Sequence, residues 1–123
     1  MNENDILMAN ARERLESACI LLENEKYADA VGRAYYSMFF GARALLFQKG
    51  IHPRTHRGLI SQFSLEMIKN GKFPRELFDL LTRAQEDREQ ADYGFKINID
   101  KKEADLIIQG SKKFLDKCEM MLK

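Results

Sequence analysis

The sequence predicts an all-α protein, an antiparallel up-and-down bundle of about five helices. Three observations predict it. Apolar residues recur at spacings of three and four along most of the chain, which is the period of one helix face. No alternating pattern of useful length signals a strand. Only two prolines and seven glycines punctuate the chain and divide it into helices, and short links between long helices favour antiparallel neighbours. No repeat, linker or low-complexity stretch interrupts the pattern, so residues 1–123 read as a single domain.

The first helix is expected to begin near Asn4 or Asp5 and to run to about Asn24, with Leu7, Ala11, Leu15, Ala18 and Leu22 on one face. The second runs from about Tyr27 to Gln48, and Gly50 offers the left-handed conformation that ends it. Between Ala28 and Phe47 it is apolar nearly all round, as befits a helix packed on several sides; Lys26, Asp29, Arg33, Ser37, Ala44 and Gln48 form its polar stripe. Thr55 can cap a third helix that reaches Asn70, with Ile60, Phe63 and Met67 inward and Gly71 as its stop. Pro74 suits the first turn of the fourth helix, which carries Leu77, Leu81, Ala84 and Ala91 on one face and fades near Gly94. Asp100 and Glu103 resemble a capping box for the fifth. Its stripe is Ala104, Ile107 or Ile108, Phe114 or Leu115, Cys118 and Met121 or Leu122.

Composition narrows the function. The 123 residues are 45% hydrophobic and 32% charged, ordinary for a globular chain. Lysine plus arginine (20) nearly balances aspartate plus glutamate (19), so no global field draws the protein to nucleic acid or membranes and any anion site must be local. The apolar runs are far short of a membrane span, and the N-terminus has no basic start or cleavage pattern. The cytoplasm is therefore the expected location. Cys19 and Cys118 read as small buried hydrophobes of a reducing compartment. No zinc-ligand spacing accompanies the two histidines, and no GxGxxG, P-loop or nucleophile elbow is present. Neither metal nor cofactor is expected.

Three local features carry chemistry. On the fourth helix, the position after Ala84 on the apolar face is Arg88. A guanidinium there keeps its charge and needs a carboxylate, a phosphate or a subunit boundary. Asp92, one turn on, is the nearest candidate and is followed by Tyr93; a structural ion pair or a side chain snorkelling to water fits the same pattern. An acid placed after its basic partner is the weaker order for a helical pair, and an aspartate in a last turn opposes the dipole. On the second helix, Tyr36 and Phe40 lie beside Arg33. Such a grouping suits a dimer interface or a base-stacking site, or rings that cover a neighbouring helix. The third feature is His52-Pro53-Arg54-Thr55-His56-Arg57, at the expected start of a helix. Four potentially cationic side chains with the positive end of a dipole suit phosphate, and a solvated basic loop is the plainer alternative.

The segments ADAVGRAYYSMFFGARALL, RTHRGLISQF and REQADYG, in that order, resemble the prokaryotic HEPN domain family, and in particular the branch often encoded beside minimal nucleotidyltransferases. The resemblance runs roughly from Leu15 to Phe114, with Arg33-Ala34-Tyr35-Tyr36 and Ala91-Asp92-Tyr93 as its more specific parts. It implies an antiparallel helical bundle, HEPN-like and usually dimeric. Many members of that family are metal-independent ribonucleases in which an arginine is followed on the same helix, after four to six intervening residues, by a histidine. Arg88 matches the arginine, but Asp92, Tyr93, Gly94 and Phe95 follow, and no arginine in the chain has a histidine at that spacing. His56, from another helix, can substitute only by tertiary proximity. The resemblance thus implies a homodimeric, nucleotide- or RNA-binding protein acting with a minimal nucleotidyltransferase partner, as a toxin–antitoxin component. Its candidate ligand-binding residues are Arg33, Tyr36, His56, Arg57, Arg88, Asp92 and Tyr93. Two alternatives stand beside it: a ribonuclease in which His56 or Asp92 replaces the missing histidine next to Arg88, and a module serving dimerisation alone.

Overall fold

A computed structural model of the chain describes residues 2–94 and 98–123; Phe95, the last position read after Arg88, lies outside them. Five α-helices make up the fold: α1 (Glu3–Glu23), α2 (Tyr27–Gln48), α3 (His56–Phe63), α4 (Arg75–Asp92) and α5 (Lys101–Leu122). Among the described residues there is no strand, and well over two thirds of the chain is helical. A helical hairpin of α1 and α2 is closed by the Lys26 N–H, which returns to the Leu21 carbonyl. The central element is α2, packed against α1, α4 and α5. More of its residues are buried than of any other helix, with Tyr35, Met38 and Leu46 fully so.

Local chemistry sets the ends of the elements. Asn2 caps α1 by accepting from the Asp5 N–H while the Asp5 carboxylate accepts from the Asn2 N–H, a reciprocal pair that starts the helix slightly before the expected Asn4. Gly50, at φ +77°, ends α2, and the Ile51 N–H reaches back to the Leu46 carbonyl. The Thr55 hydroxyl accepts from the Gly58 N–H, and the Asp100 carboxylate accepts from the Glu103 N–H, each at 2.9 Å. Pro74 is the N-cap residue of α4 rather than part of its first turn.

Several expectations need correction. The third helix does not run unbroken to Asn70: after Phe63 the chain widens into a π-helical turn, Ser64–Ile68. Leu59, Phe63 and Met67 face inward, each four residues from the last, and Ile60 is left half-buried. On α4 the buried residues are Phe78, Leu81, Ala84 and Asp87, so the predicted stripe is rotated and Leu77, Arg88 and Ala91 sit at its margin. Ser37 and Ala44 do not belong to an exposed polar stripe. Both are fully buried, and Ser37 is accommodated by donating to the Ala34 carbonyl and pairing with Ser111 of α5. Of the cysteines, Cys118 is buried and Cys19 only partly so; both are free thiols.

An aromatic centre joins the second half of the bundle, with Phe63 against Phe73 at 5.1 Å between centroids and Phe73 against Phe114 at 4.7 Å. Among the described residues no helix is long and apolar enough to cross a membrane.

Candidate anion-binding site

Three elements converge on Arg88. It stands in the last turns of α4, over the face of α2 that carries Tyr35 and Tyr36. Its stem passes Gly32, where an added Cβ would lie 4.0 Å from Arg88 Cγ. The guanidinium carbon is 5.3 Å from the Tyr35 ring centroid and 5.2 Å from that of Tyr36, both within cation–π range. Nη1 donates to the Tyr36 hydroxyl at 3.1 Å. Nη2 lies 3.7 Å from Asp92 Oδ2, too far for a hydrogen bond, and the Asp92 side chain is 63% exposed against 23% for Arg88. Nε is buried and has no hydrogen-bond partner. The cation is thus held by two aromatic faces and one neutral hydroxyl, with a carboxylate only loosely beside it.

His56 opens α3 and turns inward. Its Nδ1 is 2.7 Å from the Tyr35 hydroxyl, and its ring stacks on Phe39 at 4.4 Å and meets Tyr36 edge-on at 5.8 Å. Burial, and then the charge of Arg88, hold the imidazole below the usual histidine pKa, while Glu89 opposes them. Burial likewise pushes the Tyr35 phenol well up, against a smaller contrary effect of Arg88. At neutral pH the pair is therefore an uncharged imidazole beside a protonated phenol.

Two clefts flank the guanidinium. One, of about 440 Å³, is lined by Arg57, Arg88, Glu89, Asp92 and Tyr93. The other, of about 680 Å³, is lined by Leu21, Ala28, Asp29, Gly32, Arg33, Tyr36 and Ala91 together with Arg88 and Asp92. Arg88 and Asp92 are common to both and form the partition between them. Such an arrangement can hold an anion against Arg88 with a neighbouring group on either side, Arg33 and Arg57 adding positive charge and Asp29, Glu89 and Asp92 limiting it.

The folded chain therefore gathers Arg33, Tyr36, Arg57, Arg88, Asp92 and Tyr93 around two adjoining clefts, with His56 packed beside Tyr35 and Tyr36. The basic segment of residues 52–57 does not act as a block: His52 lies edge-on to Phe47 at 4.7 Å, His56 faces inward, and Arg57 lines a cleft. Sequence reasoning missed Tyr35 as a site residue. It occupies an apolar face of α2 and reads as core, and only the tertiary fold brings His56 to its hydroxyl. Asp29 and Glu89 were missed as well, because each sits on a helix surface where a carboxylate is unremarked.

The chain matches the HEPN domain over residues 5–121 and belongs to that family. Among its relatives, a Methanocaldococcus jannaschii protein named "Putative toxin MJ0142" is 38% identical over 120 residues, spanning 98% of this chain and 82% of its own. A Thermotoga maritima UPF0332 protein is 34% identical over 127 residues, covering 100% of this chain and 96% of its own. "Putative toxin MJ0605", also from M. jannaschii, is 37% identical over 124 residues, or 98% of this chain and 90% of its own.

Proposed function

We propose that this HEPN protein is a nucleotide- or RNA-binding component of a toxin–antitoxin pair, acting as a homodimer with a minimal nucleotidyltransferase partner, and that Arg88 holds a phosphate of the ligand. One observation carries the binding assignment. Arg88 is a largely buried cation on the partition between two clefts, with an unpartnered Nε and its nearest carboxylate beyond hydrogen-bond distance. Exposed or loosely paired carboxylates contribute little to such a cation, whereas a phosphate matches the guanidinium fork and replaces lost solvation. Relatives named as toxins supply the biological setting. The test is binding of a labelled single-stranded RNA oligonucleotide to wild type and Arg88→Ala. Loss of one phosphate contact weakens binding and lowers the salt slope by about 0.7. Unchanged affinity in Arg88→Ala overturns the assignment. For the partner, a nucleotidyltransferase encoded beside this gene is expected to co-purify with the co-expressed chain.

A second reading, a metal-independent ribonuclease, is favoured by one observation: His56 comes from another helix yet meets the same pair of tyrosines that carries Arg88. A neutral imidazole is a general base. Rapid metal-free RNA cleavage that disappears in His56→Ala supports this reading over simple binding.

A further inference from the structure

We propose that anion binding at Arg88 is coupled to uptake of a proton by His56, so that the site binds its ligand more tightly as pH falls. The inference rests on Arg88 being the anion holder and adds the regulation of that site. Tyr35 connects the two residues: its ring lies under the guanidinium at 5.3 Å, while its hydroxyl meets His56 Nδ1 at 2.7 Å. A second connection runs through Tyr36, which accepts from Arg88 and meets the imidazole edge-on.

The groups that face His56 determine the sign. From α2 these are Tyr35, Tyr36 and Phe39, which supply a partly dry, uncharged surround. From α4, Arg88 disfavours the imidazolium and Glu89 favours it. On α3 itself, Arg57 is the adjacent cation. Burial and Arg88 together keep the ring neutral at neutral pH. An anion seated on Arg88 offsets the repulsion from that guanidinium and adds attraction of its own, so the proton becomes easier to hold. By reciprocity, the proton then strengthens anion binding by the same factor.

The Tyr35 contact makes the change of charge tolerable. A neutral His56 accepts from the Tyr35 O–H at Nδ1, and a protonated His56 donates from Nδ1–H to the Tyr35 oxygen. The bond survives with its direction reversed, so protonation leaves Nδ1 with its partner.

The test uses a short RNA oligonucleotide without terminal phosphates, whose phosphodiesters keep a constant charge over the range studied. Binding is measured between about pH 5.5 and about pH 8, where histidine titrates. Ring resonances of His56 are followed in parallel by NMR. The expected result is that saturating oligonucleotide raises the His56 pKa and that affinity increases toward low pH, about tenfold for each unit of that rise. His56→Gln is expected to flatten this dependence. Binding that is independent of pH, with His56 titrating identically in free and bound protein, overturns the inference and leaves the assignment of Arg88 intact. A pH dependence that persists in His56→Gln overturns it too. Arg88→Ala binding like wild type overturns the assignment of the site and with it the coupling.

Discussion

The Tyr36 hydroxyl accepts a hydrogen bond from Arg88 Nη1 at 3.1 Å while its ring lies 5.2 Å from the same guanidinium. One side chain of α2 thus fixes both the direction and the height of a cation on α4. Tyr36→Phe keeps the ring and removes the acceptor. A hydrogen bond to a charged group contributes about 1.5–3 kcal/mol, and part exposure of Arg88 puts the expected loss of stability at or below the lower end. Oligonucleotide binding is expected to weaken several-fold with an unchanged salt slope, because the cation itself remains. Arg88→Lys keeps the charge but lacks the planar fork, so it should retain the slope and lose affinity. Isotherms at several salt concentrations check both; a reduced slope in Tyr36→Phe contradicts the role given to the hydroxyl.

His56 also links stability to pH. Its folded pKa lies below the ordinary histidine value because of burial and Arg88. Between those two values the unfolded chain binds the proton more readily than the folded one, so falling pH favours unfolding. The contribution is complete above the ordinary histidine pKa of about 6.5 and is lost as pH drops through the lower folded value. Thermal melts should show the difference between wild type and His56→Gln shrinking from about pH 7.5 toward about pH 5. A difference that grows on acidification would mean that the folded protein stabilises the imidazolium.

Ser37 and Ser111 form a fully buried hydroxyl pair between α2 and α5, both oxygens also reaching the Ala34 carbonyl. Removing one hydroxyl leaves its partner with the Ala34 carbonyl alone, at a cost of about 0.5–1.5 kcal/mol for the lost bond, whereas the second removal has no serine pair left to break. Ser37→Ala and Ser111→Ala should each destabilise the protein, and the double variant should lose less than the sum of the two. Denaturant unfolding of the three variants measures the coupling. Strict additivity would show that the serines act independently.

Much of this architecture was legible in the sequence because its signals are local. Thr55 and Asp100 cap helices through bonds spanning three residues, and Gly50 takes up the backbone conformation its position called for. Positional shifts arose where packing outweighed period: the π-turn after Phe63 re-registers the end of the third helical segment, and the rotation of α4 buries Asp87 at 3% exposure. Arg88 stood out because a cation on an apolar stripe is a local anomaly. Its surroundings did not, since Tyr35 and His56 are 21 residues apart and no periodicity links them. Ser37 misled for the complementary reason, its buried partner being 74 residues away on α5.

Assembly gives the last prediction. Tyr93 is 75% exposed at the end of α4, beside the clefts, and Tyr36 and Phe40 are only partly covered, with Arg14 lying over the Phe40 ring at 4.7 Å. Aromatic and arginine side chains gathered on one side of a small protein are the composition of interface centres, and closed two-fold pairing is the commonest way to cover such a patch. Light scattering at micromolar concentration should give twice the 14.3 kDa of the chain. Tyr93→Glu, which places a charge at the end of α4, should shift the population toward monomer without lowering the melting temperature of the monomer itself. Arg33→Glu should do the same if the face of α2 joins the interface. A monomer mass for the wild type would overturn the dimer, and dimers indifferent to both substitutions would move the contact surface away from the clefts and leave Arg88 accessible from solvent in every copy.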